Sequence, residues 1–243
     1  MHKLNLNYEN QNFDFFIHDP REDRIISRKI LKSQVWEQDI TKIWTDHIRP
    51  GDLVVDIGAN IGWYSKMAEL KQAEIFAFEP DPRNFQVLAQ NCPKAHLFES
   101  AVGSSESQLT INYNPENFGD TRVSSEGSIV VNQTTLDAVI GDRAHEIRAI
   151  KMDVQGWEPY VLDGAANTMK NLPKDCLVIL EFCPTLLAEN NFDMHRLDDF
   201  FQLFSNSYAL RKGKTIGIDH MLEWAELVKH DPRQLYADTI NFV

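Results

Sequence analysis

The 243-residue sequence predicts an α/β fold, a mostly parallel β-sheet with helices on both faces. Three observations carry that prediction. Short, largely apolar runs at Leu53–Ile57, Glu74–Phe78, Ile147–Met152 and Leu177–Phe182 read as strands buried on both faces. Segments of helical spacing separate them, so strand and helix alternate along the chain. A glycine-bearing turn, Gly58-Ala59-Asn60-Ile61-Gly62, follows the first of these strands at once and opens into a helix.

Taken in order, a polar opening to Tyr8 precedes Phe13, Phe15, Phe16 and Ile17, which read as a short strand or edge segment. Helices are expected over Ile25–Leu31 and Glu37–His47, where Ile40, Ile43, Trp44 and His47 recur at three- and four-residue intervals. Pro50-Gly51-Asp52 turns into strand Leu53–Ile57. Helix Ile61–Leu70, strand Glu74–Phe78, helix Pro82–Asn91 and strand His96–Phe98 follow, with Pro82 suited to a first helical turn.

Gly103–Thr134 breaks the pattern. It is rich in Ser, Asn, Gly and Thr, and the alternation of Leu109, Ile111 and Tyr113 predicts an edge hairpin or a loop-bearing insertion. Alternation then resumes with helix Thr135–Ile140, strand Ile147–Met152, helix Glu158–Met169, strand Leu177–Phe182 and helix Leu197–Phe204. Tyr208–Arg211 and Thr215–Ile218, around Lys212-Gly213-Lys214, form a hairpin that makes the sheet mixed. Met221, Leu222, Trp224, Ala225 and Leu227 mark a last amphipathic segment. In domain terms, residues 1–50 read as an N-terminal extension packed on the core and 51–243 as the main domain, with 103–134 a substrate-region insertion.

Composition limits the classes of function. With 43% hydrophobic and 25% charged residues the chain can form a core and is not of the disordered type. A net charge of -12 repels phosphate backbones and anionic membranes at long range, so no nucleic-acid partner is expected. No apolar run is long enough to span a bilayer, and Met1–Asn10 has no apolar core of a secretory leader; the expected location is cytoplasmic. Three cysteines, Cys92, Cys176 and Cys183, predict no disulfide framework, and the eight histidines form no zinc-type cluster.

The first turn carries the chemistry. Gly58 and Gly62 permit a tight turn and close backbone approach, and Glu79, 23 residues beyond Asp56 at the next strand end, can receive both hydroxyls of a ribose. A dinucleotide site wants glycine at its first, third and sixth positions, and counted from Gly58 these are Gly58, Asn60 and Trp63. Asn60 impedes pyrophosphate approach, and Trp63 is too large for close helix-to-strand contact. Asp56 repels a pyrophosphate but suits an ammonium group. The turn therefore favours S-adenosylmethionine over a dinucleotide or a purely structural use.

Val55-Asp56-Ile57-Gly58-Ala59-Asn60-Ile61-Gly62-Trp63-Tyr64-Ser65, Phe78-Glu79-Pro80-Asp81-Pro82, Ala101-Val102-Gly103, Thr135-Leu136-Asp137, Ile150-Lys151-Met152-Asp153-Val154-Gln155-Gly156-Trp157-Glu158, Val161-Leu162-Asp163-Gly164-Ala165 and Leu180-Glu181-Phe182 resemble, in this order, the blocks of an FkbM-type methyltransferase. The resemblance spans about Gly51 to Phe182. It implies a Rossmann-like class I methyltransferase fold, a mostly parallel seven-stranded sheet with an antiparallel C-terminal strand, and O-methylation of small molecules or sugar units. It implies further that Asp56, Gly58, Asn60 and Gly62 surround the methionine portion of the donor. Glu79 would bind ribose, and Asp81, Ser100 and Ala101 would border adenine. One departure stands out: the family commonly has aspartate-valine-glutamate-glycine where this chain has Asp153-Val154-Gln155-Gly156.

Methyl transfer to an alcohol needs a base, or a metal that lowers the alcohol pKa. Asp153 ends strand four and is the first candidate, as acceptor-positioning group or base, as donor contact, as metal ligand or as a cap. Glu181, near the end of strand five, is the second; Lys151 reads as a structural partner for an acid. Asn117, Thr121 and Arg122, beside Gly119 and Asp120, form the acceptor-binding candidates of the insertion, and Glu158 joins them or caps its helix. Tyr64, Trp157 and His220 are candidates for shaping the pocket. A divalent metal is compatible with Asp153, Glu158 and Glu181, but no spacing specifies one. The partner is thus a small-molecule or sugar-containing acceptor. The competing readings are N-methylation of a small molecule or protein, and a donor-binding interaction module without transfer activity.

Overall fold

A computed structural model describes residues 1–190, 201–202, 204, 206–211, 214–229 and 237–243. In chain order it contains β1 (His2–Tyr8), β2 (Gln11–Ile17), α1 (Ile26–Ser33), α2 (Gln38–His47), β3 (Leu53–Ile57), α3 (Trp63–Leu70), β4 (Glu74–Phe78), α4 (Pro82–Asn91), β5 (His96–Phe98) and β6 (Ala101–Val102). There follow β7 (Ser107–Asn112), β8 (Arg122–Val123), β9 (Ile129–Thr134), α5 (Leu136–Ile140), a 3-10 turn (Gly141–Glu146), β10 (Ile147–Met152), α6 (Glu158–Asp163), α7 (Ala166–Lys170), β11 (Leu177–Phe182) and α8 (Pro184–Glu189). Strands β12 (Asn206–Arg211), β13 (Lys214–Gly217) and β14 (Ala237–Phe242), with a helix over Ile218–Val228, complete it. The helix expected over 197–204 falls largely outside the described residues, as do the hairpin turn at 212–213 and the side chain of His220.

The chain forms two compact units, 1–101 with 107–133, and 102–106 with 134–243. In the first, β3 pairs in parallel with β4, and β4 with β5. Leu53, Val54, Val55 and Ile57 of β3 and Ile75, Ala77 and Phe78 of β4 are buried, which is why these segments read as unbroken apolar runs. Each such side chain removed from water contributes roughly 1.5–3 kcal/mol before chain entropy is set against it. Antiparallel β7–β9 and β7–β8 pairs form the expected hairpin of the insertion, with Leu109 opposite Val131 and Ile111 opposite Ile129.

The opening segment is a strand, although its sequence reads as polar: β1 pairs with β2 in full antiparallel register from His2–Ile17 to Tyr8–Gln11. Only Leu6 of β1 is deeply buried, so alternation had too few apolar positions to announce it. Phe13, Phe15 and Ile17 of β2 are buried, and the Phe15 and Trp63 rings meet edge-on at 5.3 Å. On the other side of β2, the Asn91 carboxamide receives the Phe16 amide at 2.7 Å and donates to the Phe16 carbonyl at 2.9 Å.

In the second unit β10 and β11 are parallel, β14 is antiparallel to β11, and β12 is antiparallel to β14. The expected antiparallel C-terminal strand is therefore β14. The expected hairpin is β12–β13, which adds β13 beyond the arrangement the resemblance implies. Ile150, Met152, Leu177, Val178 and Ile179 form the apolar centre of the unit. Among the described residues no helix is long and apolar enough to cross a membrane.

Candidate active site

The first unit builds a closed network around the turn after β3. The Gly58 and Ala59 amides both donate to the Phe78 carbonyl at the end of β4, at 3.0 and 2.9 Å. Asn60 has φ +52°, a left-handed conformation that asparagine adopts more readily than most residues, and its amide donates to Glu79 Oε2 at 2.8 Å. Gly62 ends the turn at φ +86°; a Cβ there would lie 2.7 Å from Leu88 Cδ1 and 3.2 Å from Cys92 Sγ. Glycine is therefore required both for the backbone and for the approach of α4.

Glu79 is the hub. Its Oε1 accepts the Asp81 amide at 2.9 Å, its own amide donates to the Phe98 carbonyl at 3.1 Å, and the residue is 4% exposed. Burial pushes the carboxyl pKa up to about 8 against the opposing pull of the Asp81 and Asn60 amides. The Asn84 side chain donates to it as well, so of the roughly four acceptor sites a carboxylate offers about one remains after these three donors.

Asp56 and Asp81 are committed elsewhere. Asp56, 1% exposed, accepts the Ser65 amide at 2.9 Å and the Ser65 hydroxyl at 2.6 Å, closing the first turn of α3. Asp81 caps α4 through the Arg83 amide at 2.9 Å, binds the Arg83 guanidinium at 2.7 Å and accepts the Thr121 hydroxyl at 3.2 Å. Ala101 is buried, and Ser100 lies in a bend two residues after the Phe98 carbonyl that receives Glu79.

The same unit carries a strap over 113–122 that sequence reasoning only partly anticipated. The Phe118 carbonyl accepts the side-chain amides of Asn60 at 3.2 Å and Asn84 at 2.9 Å. The His18 ring packs on the Phe118 ring at 4.8 Å while its Nε2 lies 2.9 Å from Asn84 Oδ1. The Arg83 guanidinium sits 3.3 Å from the Tyr113 ring centroid and 4.3 Å from that of Phe118. Asn117 Oδ1 accepts the Gly119 amide, and Arg122 bonds Asp120, so the polar groups expected to bind acceptor organise the strap itself. Phe118, Arg83, Asn84 and His18 carried no signal in the sequence, because an apolar residue in a polar loop and a helix-surface arginine are individually commonplace.

The second unit holds the acidic group. Asp153 follows β10; Glu181 belongs to β11 and Asp238 to β14. Lys151, 1% exposed, places its ammonium 3.7 Å from Asp153 Oδ2 and 3.9 Å from Asp238 Oδ1. Removal from water raises the Glu181 carboxyl well above its ordinary range, and the Asp153 charge adds to that while Lys151 opposes it. Glu158 is buried, accepting the Val154 amide at 3.1 Å and the Gly156 amide at 3.3 Å; burial lifts its carboxyl pKa to about 7. It therefore buttresses the loop 154–156. Trp157 stacks on Tyr160 at 4.0 Å, and the Tyr64 hydroxyl donates to Glu37 at 2.7 Å, so both rings have packing roles within their own units. Among the described residues no group of three or more His, Cys, Asp or Glu is arranged to hold a metal ion.

A strand-turn-helix with a buried acid at the next strand end, within an α/β fold, is the arrangement of the class I methyltransferases, and Asn60 and Trp63 set it apart from a dinucleotide site. The fold matches an rRNA methylase from Streptococcus thermophilus at TM-score 0.50 and 8% identity, covering 84% of this chain and 95% of that one. It also matches a Streptococcus mutans protein in complex with SAH at TM-score 0.50 and 7% identity, covering 85% and 97%. Residues 56–210 match the methyltransferase FkbM domain, and the chain belongs to that family. The hexuronic acid methyltransferase AglP of Haloferax volcanii is 30% identical over 142 residues, which are 56% of this chain and 59% of that protein. The 2-O-methyltransferase NoeI of Sinorhizobium fredii is 28% identical over 183 residues, 64% of this chain and 73% of the relative. The chain thus spans under two thirds of the length of AglP.

Proposed function

We propose that this protein transfers the methyl group of S-adenosylmethionine to a hydroxyl oxygen of a sugar unit, a hexuronic acid or a sugar that carries one. Family membership over residues 56–210 carries the reaction class. The two relatives carry the acceptor, one named for hexuronic acid and the other for 2-O transfer.

Bound S-adenosylmethionine supplies an electrophilic methyl carbon on a sulfonium that leaves as a neutral thioether. Glu79 receives a ribose hydroxyl on the carboxylate site that the Asn60, Asp81 and Asn84 donors leave open. Gly58, Asn60 and Gly62 shape the turn that faces the methionine portion, and Ser100 and Ala101 border the adenine. Asp56 and Asp81 support this site from behind by fixing α3 and α4, since their carboxylates are engaged by Ser65 and Arg83. Asn117, Thr121 and Arg122 fix the strap and contact acceptor through it.

Asp153 is the base. The acceptor oxygen forms a bond to the methyl carbon as the carbon–sulfur bond breaks, and the hydroxyl proton passes to the Asp153 carboxylate. The Lys151 ammonium stands 3.7 Å from that carboxylate. Glu181 and Glu158 support Asp153 and its loop.

The test uses S-adenosylmethionine labelled with carbon-13 in the methyl group and a panel of methyl glycosides of glucuronic acid and of neutral hexoses. A new methyl-ether carbon signal on the uronic acid glycoside is expected. Transfer to nitrogen, or binding of the donor without transfer to any member of the panel, would sink the reading.

A further inference from the structure

Asp153 and Glu181 lie at neighbouring strand ends, where their carboxyl groups meet each other and one further side chain bonds to both. The Gln155 amide nitrogen is 2.7 Å from Asp153 Oδ1 and 2.7 Å from Glu181 Oε2. A primary amide nitrogen has two hydrogens, so each carboxyl group receives one. The backbone holds Gln155 at φ +53°, a left-handed conformation that a residue with a side chain adopts only when its surroundings hold it there. Three features maintain it. Gly156 follows at φ +90° with Leu186 packed where a Cβ would go, Glu158 accepts the amides of Val154 and Gly156, and Asn190 donates to the Gly156 carbonyl at 3.1 Å. The charged groups that face the pair are Lys151 and Asp238. A glutamate at position 155 would set a third carboxyl against both acids and would have to bring its own proton to donate to either.

We propose that Gln155 is a positioning residue, a neutral double donor that clamps the Asp153 carboxylate to Glu181 and thereby sets the proton affinity and aim of the base. The proposal rests on the reading of Asp153 as the proton acceptor. The two hydrogens of Gln155 are not transferred in the reaction; the hydroxyl proton goes to Asp153 alone.

Carbon-13 carboxyl NMR titration of the full chain, with wild type, Gln155→Met and Gln155→Glu, tests the clamp. Methionine keeps the length of the side chain and removes both donors. Because donors favour the charged forms of their partners, the apparent pKa values of the Asp153–Glu181 pair rise by about one unit in Gln155→Met and further in Gln155→Glu. In initial-rate profiles with the glucuronic acid methyl glycoside, the acid limb of kcat moves up with them, while KM for S-adenosylmethionine stays within twofold. An unchanged titration in a Gln155→Met protein that binds S-adenosylhomocysteine like wild type overturns the proposal. So does a shifted titration without a shifted kcat profile. Failure of wild type to methylate any glycoside counts against the hydroxyl-acceptor reading instead, and the titration still decides the clamp.

Discussion

The Glu79 carboxylate accepts the Asn60 amide at 2.8 Å, so the acid at the end of β4 is built into the turn that follows β3. Its charge state is therefore coupled both to the turn and to whatever binds beside it.

Glu79 holds its proton up to about pH 8, against an ordinary value of 4.5. For folding, the folded state binds the proton more tightly, so the stability this group confers is present below pH 4.5 and lost as pH rises through about 8. Ribose hydroxyls bond best to the ionised form. Binding of S-adenosylhomocysteine is accordingly expected to release protons between those limits, with affinity rising across the window and levelling above it. Calorimetry in buffers of different ionisation enthalpy measures the release. Glu79→Gln should abolish it and weaken binding by roughly 1–3 kcal/mol, and an undiminished proton release in that variant would reject the assignment.

Gly62→Ala should destabilise the protein by about 1–3 kcal/mol, since the substitution meets Leu88 Cδ1 at 2.7 Å and fixes an L-residue at φ +86°. Urea unfolding checks the size. Adding Leu88→Ala relieves the clash but not the backbone strain, so the two changes should be strongly non-additive.

Asp153→Asn is expected to lower kcat about 10²–10⁴-fold while leaving S-adenosylhomocysteine affinity within twofold. The KM-against-kcat split matters here: a loss confined to acceptor KM would make Asp153 a binding group rather than the base.

Arg83→Met keeps apolar bulk between the rings but removes the charge that faces Tyr113 and the ion pair with Asp81. Hydrogen exchange should quicken over the 114–121 amides and stay unchanged in β10 and β11. Equal protection of the strap in both proteins would show that Phe118 and its bonds from Asn60 and Asn84 hold it without help.

The strands Leu53–Ile57 and Glu74–Phe78 were legible because both faces are buried and their apolar runs are nearly unbroken. The insertion's hairpin was legible from the alternation of Leu109 and Ile111. β1 was not, with only Leu6 fully buried in a polar stretch. Glu79 stood out by spacing alone, whereas the engagement of Asp56 by Ser65 and of Asp81 by Arg83 required coordinates. The Gln155 clamp was hidden for a different reason: its second partner, Glu181, is 26 residues away, and sequence gives identity at both positions without their contact. Asn117, Thr121 and Arg122 marked the strap in the sequence, but its anchoring was not legible, because what matters at Phe118 is its carbonyl, which every residue has.

Asn91 has a further consequence. By taking both the amide and the carbonyl of Phe16, its carboxamide occupies the outer rim of β2 as a one-residue substitute for another strand. A two-stranded ribbon rich in phenylalanine is a template on which a second molecule can zip, and here the teeth are already taken at Phe16, near the C-terminal end of the rim. The same carboxamide donates to the Ile61 carbonyl at 2.6 Å, so one side chain fastens the rim of β2 to the turn after β3.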